Sequence, residues 1–77
     1  MIVTPNHPVY GMTHRLFDAD GFEVVLCLWA DTETGEAVVA ALEGGRITWV
    51  VDDTGKEVVR TRWISCRPPL ALVRQAR

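Results

Sequence analysis

The sequence predicts an all-β fold: a five-stranded antiparallel meander that makes a strongly bent sheet or a small SH3-like barrel, followed by a short C-terminal turn or strand. Three observations carry that expectation. A glycine, two further residues and then a Val-Val pair follow one another in "DGFEVV" at 20–25, "TGEAVV" at 34–39 and "TGKEVV" at 54–59. A Gly-Gly pair, Gly44 and Gly45, separates Glu43 from Arg46. Between these points β-branched and aromatic residues recur on alternate positions, as a pleated strand requires.

The chain opens with "TPNHPVYGM" at 4–12, where Pro5 and Pro8 favour extended backbone and His7 and Tyr10 offer polar and aromatic contacts. Residues 1–8 read as a flexible arm of a single small domain, 1–77. Strand one is expected near 12–17. The first glycine turn follows, with Asp18 ahead of it and Gly21 free to take the left-handed conformation that ends a three-residue loop. Strand two is placed near 22–31 and runs into the second glycine turn. Strand three, near 36–43, ends at Gly44-Gly45, which can supply the two positive φ angles of a two-residue hairpin and set Glu43 opposite Arg46. Strands four and five, near 46–52 and 56–66, flank the third glycine turn. Pro68 and Pro69 end strand five, and "PPLALVRQAR" provides one helical turn or a last strand.

Three-residue loops pair Asp18 with Phe22, Thr32 with Glu36 and Asp52 with Lys56, and a one-residue slip would exchange the two faces of a strand. Followed through, these registers put Leu16, Phe22, Val24, Leu26, Leu28, Val38, Ala40, Leu42, Ile47, Trp49, Val51, Val59 and Trp63 on one face, the expected core, with Trp49 opposite Ala40. The other face carries Val25, Cys27, Trp29, Val39, Ala41, Val50, Val58 and Ile64, with Glu23, Glu43, Arg46, Arg60 and Arg62 among them. That is too apolar for a solvated face. A cover is expected from barrel closure, from the terminal segments 1–11 and 67–77, or from a second copy of the chain.

Seventy-seven residues, 48% hydrophobic and 23% charged, suit a small globular domain that buries only roughly 60% of its unfolded surface. The net charge of −2 conceals an asymmetry. Residues 1–44 hold seven acidic side chains against Arg15, and 45–77 hold seven basic ones against Asp52, Asp53 and Glu57, so the halves carry −6 and +4. Either one edge is basic, or acidic strands lie beside basic ones and neutralise them. Cys27 and Cys66 lack C-x-x-C spacing and would stand roughly 14 Å apart in a flat sheet, so free thiols are expected. The start of the chain is not patterned as a signal peptide, and its longest apolar run, "VVLCLWA" at 24–30, is too short to cross a bilayer. A cytoplasmic setting without membrane contact is expected.

Catalytic patterns find little support. Ser65 is the only serine, neither His7 nor His14 has a triad context, the paired aspartates belong to turns, and "LEGGRI" is a hairpin rather than a phosphate loop. "DADG" at 18–21 would place the first ligand of a calcium loop at Leu16, so it reads as a turn. His7, His14, Cys27 and Cys66 lack ligand spacing, and no metal or cofactor is expected. The basic stretch remains. Arg46, Arg60 and Arg62 fall together on the second face, with Arg46 opposite Arg62, where like charges call for an anion or an acidic neighbour. A bland account is a solvated edge strand whose arginines discourage aggregation. The functional expectation is a non-catalytic protein-binding or assembly module. It self-associates, or binds another protein, through Trp29, Val39, Arg46, Val50, Val58, Arg60 and Arg62. The alternative is a nucleic-acid-binding small barrel that uses the basic strands 46–52 and 56–66.

Overall fold

Every regular element among residues 1–75, which the computed structural model describes, is a β-strand. The chain runs through β1 (Ile2–Val3), β2 (His14–Phe17), β3 (Cys27–Asp31), β4 (Glu36–Ala40), β5 (Leu42–Glu43), β6 (Arg46–Ile47), β7 (Trp49–Val51), β8 (Glu57–Val59), β9 (Thr61–Ser65) and β10 (Ala71–Arg74). All strand pairs are antiparallel. The main sheet has the order β1-β3-β4-β9. Beside it β10 pairs with β2, so the C-terminal segment supplies a strand; its residues Ala76 and Arg77 lie outside the described residues. No helix among the described residues is long and apolar enough to cross a membrane.

The β2–β10 ribbon covers one side of the main sheet. Val3, Leu16, Val24, Cys27, Ala30, Ala37, Val39 and Leu70 are buried together, with Tyr10, Ile64, Cys66 and Leu72 packed against them. Ala30 and Ala37 sit opposite each other on β3 and β4, where small side chains let the ribbon approach closely. Thr32 ties both termini to this layer. Its N–H and its hydroxyl donate to the Met1 carbonyl at 2.9 and 3.1 Å, and its own carbonyl accepts the Leu70 N–H at 2.8 Å. Ile2–Val3, in the segment expected to be a flexible arm, therefore forms a strand of the main sheet, and Val3 is fully buried.

Three turns take the expected form. The Asp18 N–H donates to the Phe22 carbonyl and the Asp52 N–H to the Lys56 carbonyl, both at 2.9 Å, and Glu43 stands opposite Arg46. The Asp18 carboxylate accepts the N–H groups of Asp20 and Phe22, and Asp52 accepts those of Thr54 and Lys56.

The turn between β3 and β4 differs. Gly35 N–H reaches back to the Asp31 carbonyl, and Ala30 rather than the expected Asp31 stands opposite Ala37. The cause is spacing: three positions separate Asp18 from Gly21 and Asp52 from Gly55, but four separate Asp31 from Gly35. With Thr32 engaged by both termini, β4 slips one position against β3. A bulge at Leu28 and a left-handed Leu26, φ 53°, then break the strand expected over 22–31.

This slip overturns the expected assignment of faces. Of the residues expected inside, Leu16, Val24 and Ala40 are buried, but Phe22, Leu26, Leu28, Leu42, Ile47, Trp49, Val51 and Trp63 are exposed. Cys27 and Val39, from the face that was expected to need a cover, join Leu16 and Val24 in the core, and the chain's own terminal strands cover them.

Segments 46–52 and 56–66 also depart from one continuous five-stranded order. β9 pairs directly with β4, Val38 opposite Trp63 and Ala40 opposite Thr61. Beyond this stem the chain splits into two ribbons: β5 with β6, closed by Gly44-Gly45, and β7 with β8, closed by the Asp52 turn. At the branch the Ala41 N–H donates to the Arg60 carbonyl at 2.8 Å, and the Arg60 N–H donates to the Thr48 carbonyl at 2.7 Å. Every residue from Leu42 to Glu57 except Thr48 is exposed. An isolated two-stranded ribbon is marginal in water, so these arms are the least self-sufficient part of the fold. They also extend it: the radius of gyration is 13.2 Å, against about 11.5 Å expected for a compact chain of this length.

Candidate functional site

The two sides of the stem bury very different amounts of side chain. On the side away from the core, Trp29, Val38 and Trp63 stand in register across β3, β4 and β9. The Trp29 and Trp63 ring centroids are 5.6 Å apart with planes tilted by 59°, although their strands are two apart and so separated by roughly 9.6 Å. The rings therefore lean toward each other across Val38. Such a pair is worth about 0.5–1.5 kcal/mol beyond its area burial. Trp63 nevertheless remains 68% exposed.

The apolar character of this outer side continues onto the arms. In the first arm Leu42 and Ile47 are cross-strand partners and both are exposed. In the second arm Trp49 is opposite Val59, and they share a side with Val51. Trp49 is 59% and Val51 66% exposed. Charged residues on this side sit at its ends: Asp31 and Glu36 beside the β3–β4 turn, and Glu57 opposite Val51. An uncharged centre with polar ends is the composition of an interface core and its rim.

The residues expected to bind a partner are divided by the register slip. Trp29 lies on the outer side, whereas Val39, 6% exposed, is inside the core and offers no surface. Arg46, Val50, Val58, Arg60 and Arg62 lie on the opposite side, where the sheet runs past the core into the arms. Arg46 does not oppose Arg62, because β6 pairs with β5 and β9 with β4: Arg46 faces Glu43, and Arg62 is opposite Val39. Arg60 reaches Glu43 at 3.8 Å and Arg67 reaches Asp20 at 3.4 Å, so basic residues of the second half lie against acidic residues of the first. Exposed pairs of this kind contribute about 0–1 kcal/mol. An open cleft of about 360 Å³ lies at the branch, lined by Ala41, Leu42, Glu43, Thr48, Arg60, Thr61 and Arg62.

The remaining polar chemistry is structural. The Cys27 N–H donates to the Tyr10 hydroxyl at 3.3 Å, and burial pushes the Tyr10 phenol up. Cys27 and Cys66 are free thiols, both pushed up by burial, which keeps them poor nucleophiles. The Asp52 carboxyl is held below its ordinary range by the Thr54 hydroxyl and by the N–H groups of Lys56 and Thr54. Among the described residues, no three His, Cys, Asp or Glu side chains group to hold a metal ion.

Sequence reasoning missed Trp49 and Trp63 as surface because the alternation that marks them also marks a core. The signal that separates the two readings was the extra residue between Asp31 and Gly35. No family model, no curated protein and no solved structure matches this chain.

Proposed function

We propose that this chain is a non-catalytic assembly module that self-associates through the uncovered apolar side of its stem and arms. The observation behind this reading is its surface. The chain exposes 5674 Å², against about 4,700 Å² expected for a folded monomer of this size. The difference, about 1,000 Å², is comparable to the roughly 800 Å² that each partner contributes to a standard interface. Three tryptophans, none of them in the core, supply side chains of the kind that dominate binding energy.

The continuous five-stranded sheet or SH3-like barrel expected from the sequence belongs to this proposal: closing the separate ribbons into one sheet would take pairing of the arms with another chain. The setting we propose is the cytoplasm, where Cys27 and Cys66 would stay reduced.

Sedimentation equilibrium over a range of concentrations tests the reading on wild type and Trp29→Ala, with folding checked by circular dichroism. Wild type is expected to associate, and the folded variant to associate at least about tenfold more weakly, as truncation of an interface tryptophan implies. A wild type that stays monomeric throughout the range would overturn the reading.

The cleft at the branch favours a second reading, nucleic-acid binding, because Arg60 and Arg62 line it beside the hydroxyls of Thr48 and Thr61. It requires an affinity for single-stranded nucleic acid that falls steeply with salt and drops in Arg60→Ala and Arg62→Ala.

A further inference from the structure

We propose that the open edge of β9 binds an extended, acidic segment of another protein, which adds to the main sheet as an antiparallel strand with a carboxylate beside Arg62. The site is a strand edge rather than the outer face, and it does not depend on self-association. Three observations support it.

The edge presents its backbone groups as a vacant strand position does. β9 pairs with β4 and with no other strand among the described residues. The Cys66 N–H donates to the Gly35 carbonyl and the Ala41 N–H to the Arg60 carbonyl, both at 2.8 Å. By the antiparallel alternation between those two bonds, Arg62 and Ile64 direct their N–H and C=O groups at β4. Thr61, Trp63 and Ser65 therefore direct theirs away from the sheet, where they meet no partner among the described residues. All three residues are exposed.

The edge is open because the strand that would close it leaves. β7 runs along this line as far as Thr48, whose carbonyl takes the Arg60 N–H at 2.7 Å. Ahead of Thr48 the chain departs into β6, which pairs with β5. A strand added beside Thr61–Ser65 would continue the line of β7, antiparallel to β9 as β7 is to β8.

The charge at this edge selects the occupant. From Arg60 to Arg67 the chain holds three arginines and no acidic residue. Arg60 reaches Glu43 and Arg67 reaches Asp20, whereas Arg62 reaches no carboxylate among the described residues. Arg62 lines the cleft at the branch, and the one acid in that lining, Glu43, is the one that Arg60 holds. A second copy fits this edge poorly. The antiparallel register that uses all three outward residues of each edge sets Trp63 opposite Trp63 and brings the two Arg62 side chains onto one face, roughly 7–8 Å apart on the diagonal. A glutamate or aspartate beside Arg62 turns that repulsion into attraction. The residue next to it would share a side with Trp63 and be apolar, and the following one would lie beside Ile64 and be aliphatic.

The probe is a fluorescein-labelled peptide with capped ends and the core Thr-Val-Tyr-Glu-Thr, which faces Ser65 through Thr61 in that order. It is titrated with the full chain and followed by fluorescence anisotropy. Wild type is expected to bind it. N-methylation of the two Thr and the Tyr blocks the amides aimed at β9 and is expected to weaken binding at least about tenfold, whereas N-methylation of the Val and Glu, whose amides point away, is expected to leave it unchanged. Arg62→Glu, its folding checked by circular dichroism, is expected to weaken binding at least about tenfold, and a probe with Lys in place of Glu to restore it. Should that variant not fold, Arg62→Gln carries this arm and is expected to lose the wild type's preference for the Glu probe over its Gln analogue.

No binding of the probe to folded wild type at concentrations up to about 1 mM, or binding indifferent to which amides are methylated, would overturn strand addition. Unchanged discrimination by a folded Arg62 variant would overturn the acidic occupant. Sedimentation separates this inference from the assembly reading: a wild type that associates but binds no probe overturns the inference alone, and a monomer that binds the probe overturns the assembly reading alone. Displacement of the probe by a single-stranded oligonucleotide, with no effect of N-methylation, would overturn it in favour of the nucleic-acid reading.

Discussion

One sheet separates two apolar regions that differ in what they contain. Its inner side buries small and aliphatic side chains, Val3, Ala30, Ala37, Val39 and Leu16, beneath the β2–β10 ribbon. Its outer side and the arms carry Trp29, Trp49, Trp63, Leu42 and Ile47 with no layer over them among the described residues. In an ordinary monomer the largest side chains fill the core, since they gain most from leaving water. Here the core is built from small residues and the bulk lies outside. The inner side therefore holds the chain together, and the outer side is the part that we propose gains from a partner.

Paired substitutions sharpen that contrast. Leu16 is fully buried, and Leu16→Ala is expected to cost about 2–5 kcal/mol, enough to unfold a domain with so small a core. Trp63→Ala should cost the monomer only about 0.5–1.5 kcal/mol, the worth of its ring contact with Trp29, while weakening association. Urea titration at low protein concentration measures the first quantity and sedimentation the second. If Trp63→Ala destabilised the monomer as much as Leu16→Ala, the outer side would be part of the core and the contrast would collapse.

A second pair compares turns at the two ends of the sheet. A Cβ on Gly35 would run into the Cys66 backbone carbonyl, whereas one on Gly55 would meet open space. Both glycines have positive φ. Gly55→Ala should therefore cost only the left-handed penalty, about 1–2 kcal/mol, and Gly35→Ala that penalty plus the roughly 1–3 kcal/mol of a forced backbone shift. The first effect should be confined to the second arm and the second should extend to the β4–β9 stem, as amide exchange would register. Equal costs would mean that the β3–β4 turn is not pinned to Cys66.

The smallest expected effect is on pH. Asp52 has a lowered folded-state pKa, so its turn contacts stabilise the second arm fully above the ordinary carboxylate value of about 4. That contribution is lost as pH falls through the lower folded value. On acidification the amides of Thr54 and Lys56 should lose protection before those of β3 and β4. Loss from the main sheet first would contradict the idea that the arm depends on this carboxylate.

Much of this was legible in the sequence, in an uneven way. The Asp18, Asp52 and Gly44-Gly45 turns could be read because each is closed locally, by an aspartate or by paired glycines. The turn at Gly35 resembles them when aligned on glycine, but aligned on aspartate it has one residue more, and that residue exchanges the faces of β4. Thr32 explains why the longer loop forms, yet its partners Met1 and Leu70 are 31 and 38 positions away. Such long-range contacts leave no local mark. The branch at Ala41, Thr48 and Arg60 was hidden for the same reason, and with it the separation of Arg46 from Arg62. The alternation that groups Val38, Trp49, Val51, Val59 and Trp63 reads as a core face, yet Trp49, Val51 and Trp63 are exposed and none of the five lies in the core. What the pattern could not say is whether the cover comes from the same chain or another.

All three tryptophans lie outside the core, so their fluorescence reports on the outer side and the arms without a buried background. The most direct measurement is the acrylamide quenching and emission maximum of the wild-type protein across a wide concentration range, with far-ultraviolet circular dichroism followed in parallel. Coverage of the outer face by a second copy predicts blue-shifted, protected emission at high concentration that becomes red-shifted and quenchable on dilution while the dichroism is unchanged. Emission that is fully quenchable at the highest concentration, from a folded protein, would contradict it.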